Sequence, residues 1–192
     1  MVKVGRRAFL QFGLVAGGTL AWPALTLTAA SIPPSWYIPD NPAAAGYRQQ
    51  YNLTCEVSCF KLVLFHYHMD APEDLLQALL GRDENPNKGF RGDYWALRTN
   101  GFQNYGAHAP ALARLIEQFP APGKFKAPLL PGLDEMRAAL THNWLVIVWI
   151  PVGLERSSRQ SVALSTGEQV DMVPGEHTIV LHGYDGSGFY TY

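Results

Sequence analysis

Gln49-Gln50-Tyr51-Asn52-Leu53-Thr54-Cys55-Glu56-Val57-Ser58-Cys59-Phe60 is the stretch on which the fold turns. From Thr54 to His68 the apolar residues Val57, Phe60, Leu64 and Tyr67 recur at intervals of three and four, the pattern of one buried helical face. Thr54 is an acceptable N-cap, so the spacing predicts a helix starting at Cys55. A thiol in the first turn of a helix meets unpaired backbone N–H groups and the positive end of the helix dipole, and both favour thiolate. Cys59, one turn further on, falls where an amphipathic helix buries a small apolar side chain and reads as packing. A buried structural thiol is the competing reading for Cys55 too, and the residues around it carry the choice.

Gln49 stands six residues before Cys55, within reach to aim a side-chain amide at an oxyanion forming beside the sulfur; Gln50 is its competitor. A catalytic cysteine needs a histidine delivered by the fold rather than by sequence, and His177, at the head of a β-branched run, is the candidate. It would take the thiol proton and return it to the leaving group. The other five histidines have plainer readings. His66 and His68 end the helix, where a cation suits the dipole; His108 and His142 flank helices; His182 sits inside the terminal strand.

Outward from this centre, Pro72 to Leu80 reads as a second helix with Asp70 as a possible cap, ended by Gly81. Arg82 to Tyr105 contains Asn85-Pro86-Asn87-Lys88-Gly89 and Gly92 and reads as a long loop of a functional kind. Ala109 to Phe119 and Leu133 to Leu140 form two more helices, and Trp144 to Ile150 is a buried strand. Val162-Ala163-Leu164 is a strand, and Thr178 to His182 turns through Tyr184-Asp185-Gly186-Ser187-Gly188 into Phe189 to Tyr192 as a hairpin. Helices first and antiparallel strands afterwards give an α+β class, with N-terminal helices packed on an antiparallel sheet.

The first 30 residues read as an address. Arg6-Arg7-Ala8-Phe9-Leu10 precedes an uncharged run from Phe12 to Leu27 that closes on Thr28-Ala29-Ala30, which resembles a twin-arginine export leader cut after Ala30. Residues 31–46, with Pro33-Pro34, Pro39 and Pro42, read as a linker or extended lead-in, leaving 47–192 as the folded domain. The expected location is periplasmic, cell-surface or secreted, with no stable membrane insertion once the leader is removed. Over 192 residues the chain is 47% hydrophobic and 16% charged, which excludes disorder and fits one domain. Fifteen Lys and Arg balance sixteen Asp and Glu without a basic run, which argues against nucleic acid as a partner. Loss of Lys3, Arg6 and Arg7 with the leader leaves twelve bases against sixteen acids, a mildly acidic domain expected to be a monomer. Two cysteines four apart match neither a disulfide framework nor a zinc spacing, and His66 and His68 do not converge on them, so no metal or cofactor is expected.

Five segments in order, Gln49 to Glu56, Asn85 to Asp93, Tyr105-Gly106-Ala107-His108, Trp144 to Ile150, and Glu176-His177-Thr178-Ile179-Val180 with Gly183-Tyr184-Asp185, resemble the peptidase-C39-like domains, papain-like cysteine peptidases of the bacteriocin-processing type. The resemblance runs from Gln49 to Tyr192. It implies a papain-like fold, with Cys55 as nucleophile, His177 as general base and Gln49 in the oxyanion hole. The family pattern also has an Asp or Asn on the strand after the histidine. With a turn near Asp185 and Gly186, cross-strand pairing puts that position at about 194, past Tyr192, so a chain short of its full domain is expected. Asp185 sits at the wrong end of the strand for this task. Glu56, Arg91 and Asp93 read as a capping carboxylate and a salt-linked loop. Tyr94, Trp95 and Phe102 suit either a cleft or the core.

Two functions follow as expectations. One is an exported thiol hydrolase, a cysteine peptidase acting on a peptide or other acyl substrate through a Cys-His dyad or triad. The alternative is a catalytically weak or inactive papain-like module that holds a peptide without cutting it, motivated by the missing orienting acid. A metal site at Cys55, Cys59, His66 and His68 ranks behind both. Double-glycine leader specificity is not carried over, because no phosphate-binding loop accompanies the domain.

Overall fold

The computed structural model describes residues 2–4, 11–16, 32–97, 101–119, 125, 127–130, 132–154 and 157–192. Helix α2 (Cys55–His66) carries Val57, Phe60, Val63 and Leu64 fully inside, as its three-and-four spacing requires. They join Leu76 and Leu80 of α3 (Glu73–Leu80) and Leu112, Leu115 and Ile116 of α4 (Ala109–Gln118) in one core. Strand β5 (Leu145–Pro151) is buried along its whole length, which accounts for its unbroken apolar sequence.

The main sheet is antiparallel and runs β1 (Val2–Val4), β9 (Gly188–Thr191), β8 (Glu176–Asp185), β5, β2 (Gln11–Ala16), β4 (Leu129–Leu130). Its centre is the pair β5 and β8 (Glu176–Asp185), in a register that sets Ile150 opposite His177 and Trp149 opposite Thr178. Strand β9 (Gly188–Thr191) returns from β8 through the tight turn at Gly186 and Ser187, and a register shift falls between Leu181 and Gly183. Helix α2 packs on β8, while α5 (Leu133–Thr141) packs against β5 and β8. The expected α+β architecture, helices against an antiparallel sheet, is the one observed.

Several elements differ from the sequence reading. The lead-in is structured: β3 (Trp36–Tyr37) pairs with Tyr184 and Gly183 of β8, and Asn41 caps the one-turn helix α1 (Pro42–Ala45) by accepting from Ala43 N. Helix α3 is capped at Pro72 rather than at Asp70, which instead pairs with Lys61 at 2.8 Å. Strand β6 (Gln160–Ala163) has a partner not anticipated, β7 (Gln169–Met172), and the two form a separate hairpin. Parts of the apparent leader lie in the sheet: β1 (Val2–Val4) pairs with β9, and β2 (Gln11–Ala16) pairs with β5 and with β4 (Leu129–Leu130). The paired arginines and the cleavage position after Ala30 lie outside the described residues. Among the described residues no helix is long and apolar enough to cross a membrane.

Candidate active site

Cys55 is the first residue of α2, and its Sγ lies 3.6 Å from Thr178 Oγ1 on β8. The start of the helix is thereby set against the beginning of the strand that carries His177. Gln49, Cys55 and His177 line one open cavity of about 700 Å³, together with Cys59, His182 and Asp40. The three residues singled out from sequence are thus brought to one place.

The segment bearing Gln49 and Cys55 is anchored by an acid that sequence reasoning passed over. Glu73, buried at the start of α3, accepts from Tyr47 OH, from Gln50 N at 2.8 Å and from Thr54 Oγ1 at 2.7 Å. An acid in a first helical turn looks like an ordinary dipole partner, and only the folded loop turns it into a clamp. The same geometry separates the two glutamines. Gln50 gives its amide to Tyr51 OH at 2.7 Å, and that hydroxyl is tied to Asp74 at 2.6 Å. Gln49 faces the cavity, with its Nε2 donating to Tyr51 O at 2.5 Å.

Glu56 was expected to be a capping carboxylate and is instead only 3% exposed. Its Oε1 accepts from Ala107 N at 2.6 Å and its Oε2 lies 3.5 Å from Cys55 Sγ. Gly106 has φ +123°, and a Cβ there would stand 2.3 Å from Glu56 Oε1, so this approach needs glycine. The loop also touches the segment before Cys55, where Leu53 N donates to Tyr94 O at 3.2 Å and Asn52 Nδ2 to Trp95 O at 3.0 Å. Arg91 donates to Glu84 O and Phe102 O, each at 2.6 Å, and Glu168 of β6–β7's turn takes Asn85 Nδ2 at 2.8 Å. Trp95 is 59% exposed and Phe102 packs with the β6–β7 cluster; neither lines the cavity of Cys55.

Burial drives the Cys59 thiol well above its ordinary range, and the nearby charges of Cys55 and Glu56 push the same way. That fits its reading as packing. His182, 1% exposed, was passed over as a strand residue and lies in the cavity wall, with Nδ1 3.1 Å from Asp40 Oδ1 and 3.2 Å from Ile38 O. It stands four positions on from Thr178, about 13 Å along an extended strand, so it does not compete with His177 for the sulfur. His66 packs edge-on to Tyr67, and His142 lies against Trp144. His108 sits in a network with Asn87 and Tyr105. Asp185 is spent on the hairpin, accepting from Ser187 N, Ser187 Oγ and Tyr190 OH. With Leu181 opposite Thr191, the position facing His177 falls at about 195 in this register: the turn at Gly186 and Ser187 moves it later than expected, and the bulge after Leu181 takes one position back. Among the described residues no group of three or more His, Cys, Asp or Glu is placed to hold a metal ion.

The fold is shared with a solved structure, that of a candidate C39-like peptidase from Bacillus anthracis, at a TM-score of 0.64 and 17% sequence identity. The match covers 82% of this chain and 81% of that one. The chain therefore has the C39-like peptidase fold. No family profile and no curated protein matches its sequence.

Proposed function

We propose that the protein is a thiol hydrolase of the cysteine-peptidase kind, acting on a peptide or other acyl substrate. The observation that carries this reading is the meeting of Cys55, His177 and Gln49 in one open cavity at the start of α2. In the proposed reaction His177 takes the Cys55 proton as the sulfur attacks the acyl carbonyl. The Cys55 backbone N–H and the Gln49 amide, released from Tyr51 O, hold the oxyanion. The leaving amine departs with the proton from His177, and water then cleaves the thioester with the same imidazole as base. Peptide hydrolysis measured with Cys59→Ala as the parent tests it. Adding Cys55→Ala should lower the rate at least about a thousandfold. Retention of most of the rate would remove Cys55 from the chemistry.

One feature favours a second reading, a module that holds a peptide without cleaving it: the Gln49 amide is engaged by Tyr51 O. Peptide binding with no turnover, unchanged by Cys55→Ala, would select it. The sequence Arg6-Arg7-Ala8-Phe9-Leu10 and the uncharged run after it support export by the twin-arginine route. Arg6→Lys with Arg7→Lys should then hold the chain in the cytoplasm at full mass, and a normal extracytoplasmic yield of the double variant would refute the route.

A further inference from the structure

We propose that the far end of the Cys55 cavity, where Asp40 meets His182, is a subsite for the side chain of a lysine or arginine whose carbonyl the sulfur attacks; the inference rests on Cys55 being the nucleophile. The cavity is a slot. Cys55, Cys59 and Leu62 line it from successive turns of α2, and Thr178, Val180 and His182 from alternate positions of β8. Cys55 Sγ and Thr178 Oγ1 lie 3.6 Å apart at one end. Leu62 and His182 therefore mark the other, about 10 to 13 Å away by helical and strand rise. The walls between are apolar, with Leu62 and Val180 facing the small Ala44 and Ala45 of α1.

That far end is polar. Asp40 Oδ1 lies 3.1 Å from His182 Nδ1, whose other neighbour, Ile38 O at 3.2 Å, is also an acceptor. Nδ1 thus carries the hydrogen, and Nε2 is the acceptor of the neutral ring. Nε2 is buried and has no hydrogen-bond partner among the described residues. Tyr192 stacks on the ring with centroids 4.5 Å apart, and Tyr37 donates to Asp40. A carboxylate with two donors still has room for a third. An exposed carboxylate beside an unused acceptor, at the end of an apolar slot, suits a cationic donor carried on a methylene stem. Length selects among such groups. From the sulfur through the acyl carbon, an extended lysine places its Nζ about 9 Å on, and a hydrogen bond adds about 3 Å. Arginine reaches about 1 Å further. The lining's one permanent cation, Arg48, adjoins Gln49 and is exposed, where water and salt screen it.

The test measures hydrolysis of three fluorogenic peptide amides by the full chain carrying Cys59→Ala: acetyl-Ala-Ala-Lys, acetyl-Ala-Ala-norleucine, and Ala-Ala-norleucine with a free amine. Norleucine keeps the stem and drops the charge, and the free amine offers a cation from the peptide's own terminus instead. The kcat/KM should favour lysine over capped norleucine by at least about tenfold. Asp40→Asn, at an exposed position, should bring that ratio below about threefold. Equal rates on the two capped peptides, a ratio that survives Asp40→Asn, or a preference for the free-amine peptide over lysine overturns the inference. Should Asp40→Asn lack a cooperative melt, the parent ratios decide alone. Binding of the same peptides to Cys55→Ala, by titration calorimetry, separates this inference from the reading beneath it. Lysine-selective binding with no hydrolysis of any peptide would sink the proposed function and leave the subsite standing; hydrolysis without lysine selectivity would do the reverse.

Discussion

Cys55 and Cys59 line the same cavity, one helical turn apart, and both are free thiols. Their environments separate them. Cys55 sits at the helix start with Thr178 Oγ1 and Glu56 Oε2 as neighbours, whereas Cys59 lies deeper and its ionisation is suppressed chiefly by burial. Brief iodoacetamide treatment of the folded chain at pH 8 should therefore give one adduct, on Cys55, and a second on Cys59 only after unfolding, as read by intact mass and peptide mapping. First modification at Cys59 would contradict the assignment. At this scale the positions of Cys55, Gln49 and His177 were legible, because a helix start and a strand head are local properties of sequence. Glu56 was not. Its burial depends on Gly106 and Ala107 arriving from fifty residues away, and an acid in a first turn otherwise reads as solvent-facing.

Among elements, the joint between α2 and the segment from Tyr105 to Ala107 is tightly constrained. Gly106 combines φ +123° with a Cβ position 2.3 Å from Glu56 Oε1. Gly81 also has positive φ, +70°, but open space around its Cβ position. Gly106→Ala should cost about 2 to 4 kcal/mol and Gly81→Ala about 1 kcal/mol, compared by urea melts. Equal costs would mean that the Glu56 contact adds nothing beyond backbone strain. A parallel argument applies to Glu73, whose three acceptor contacts hold Tyr47, Gln50 and Thr54. Glu73→Ala leaves those donors without their partner and should destabilise the fold by about 2 to 4 kcal/mol. A loss under about 0.5 kcal/mol would show that the clamp is replaceable by water. Helices α2 and α4 and the buried β5 were readable from periodicity and length. The hairpin of β6 and β7 was half missed because Gln169–Met172 alternates over only four residues, and its small cluster of Leu164, Val170 and Met172 is assembled by tertiary contact.

In the whole molecule, His108 stands where the helices, the long loop and β8 meet. Its backbone N donates to Pro86 O at 2.9 Å, its Nδ1 lies 3.1 Å from Asn87 Oδ1, and its Nε2 lies 3.1 Å from Tyr105 OH. Nε2 is also 3.9 Å from Glu176 Oε1, immediately before His177. That carboxylate would favour protonation, but burial dominates, and with help from the charge of Arg159 it lowers the His108 pKa to about 4. The imidazole is therefore neutral in the fold at neutral pH, and its contact with Glu176 is not an ion pair. Unfolding restores a pKa of about 6.5, so between the two values the unfolded chain binds more protons than the native one. The stability from a neutral His108 is complete above about pH 6.5 and drains as pH falls toward 4, by up to about 1.4 kcal/mol per pH unit. Thermal melts over this interval should show Tm dropping with acidification, and His108→Gln, which keeps polar contacts but cannot titrate, should flatten the slope. An unchanged slope in that variant would assign the acid sensitivity to other groups and leave His108 a neutral strut between the loop and the strand of His177.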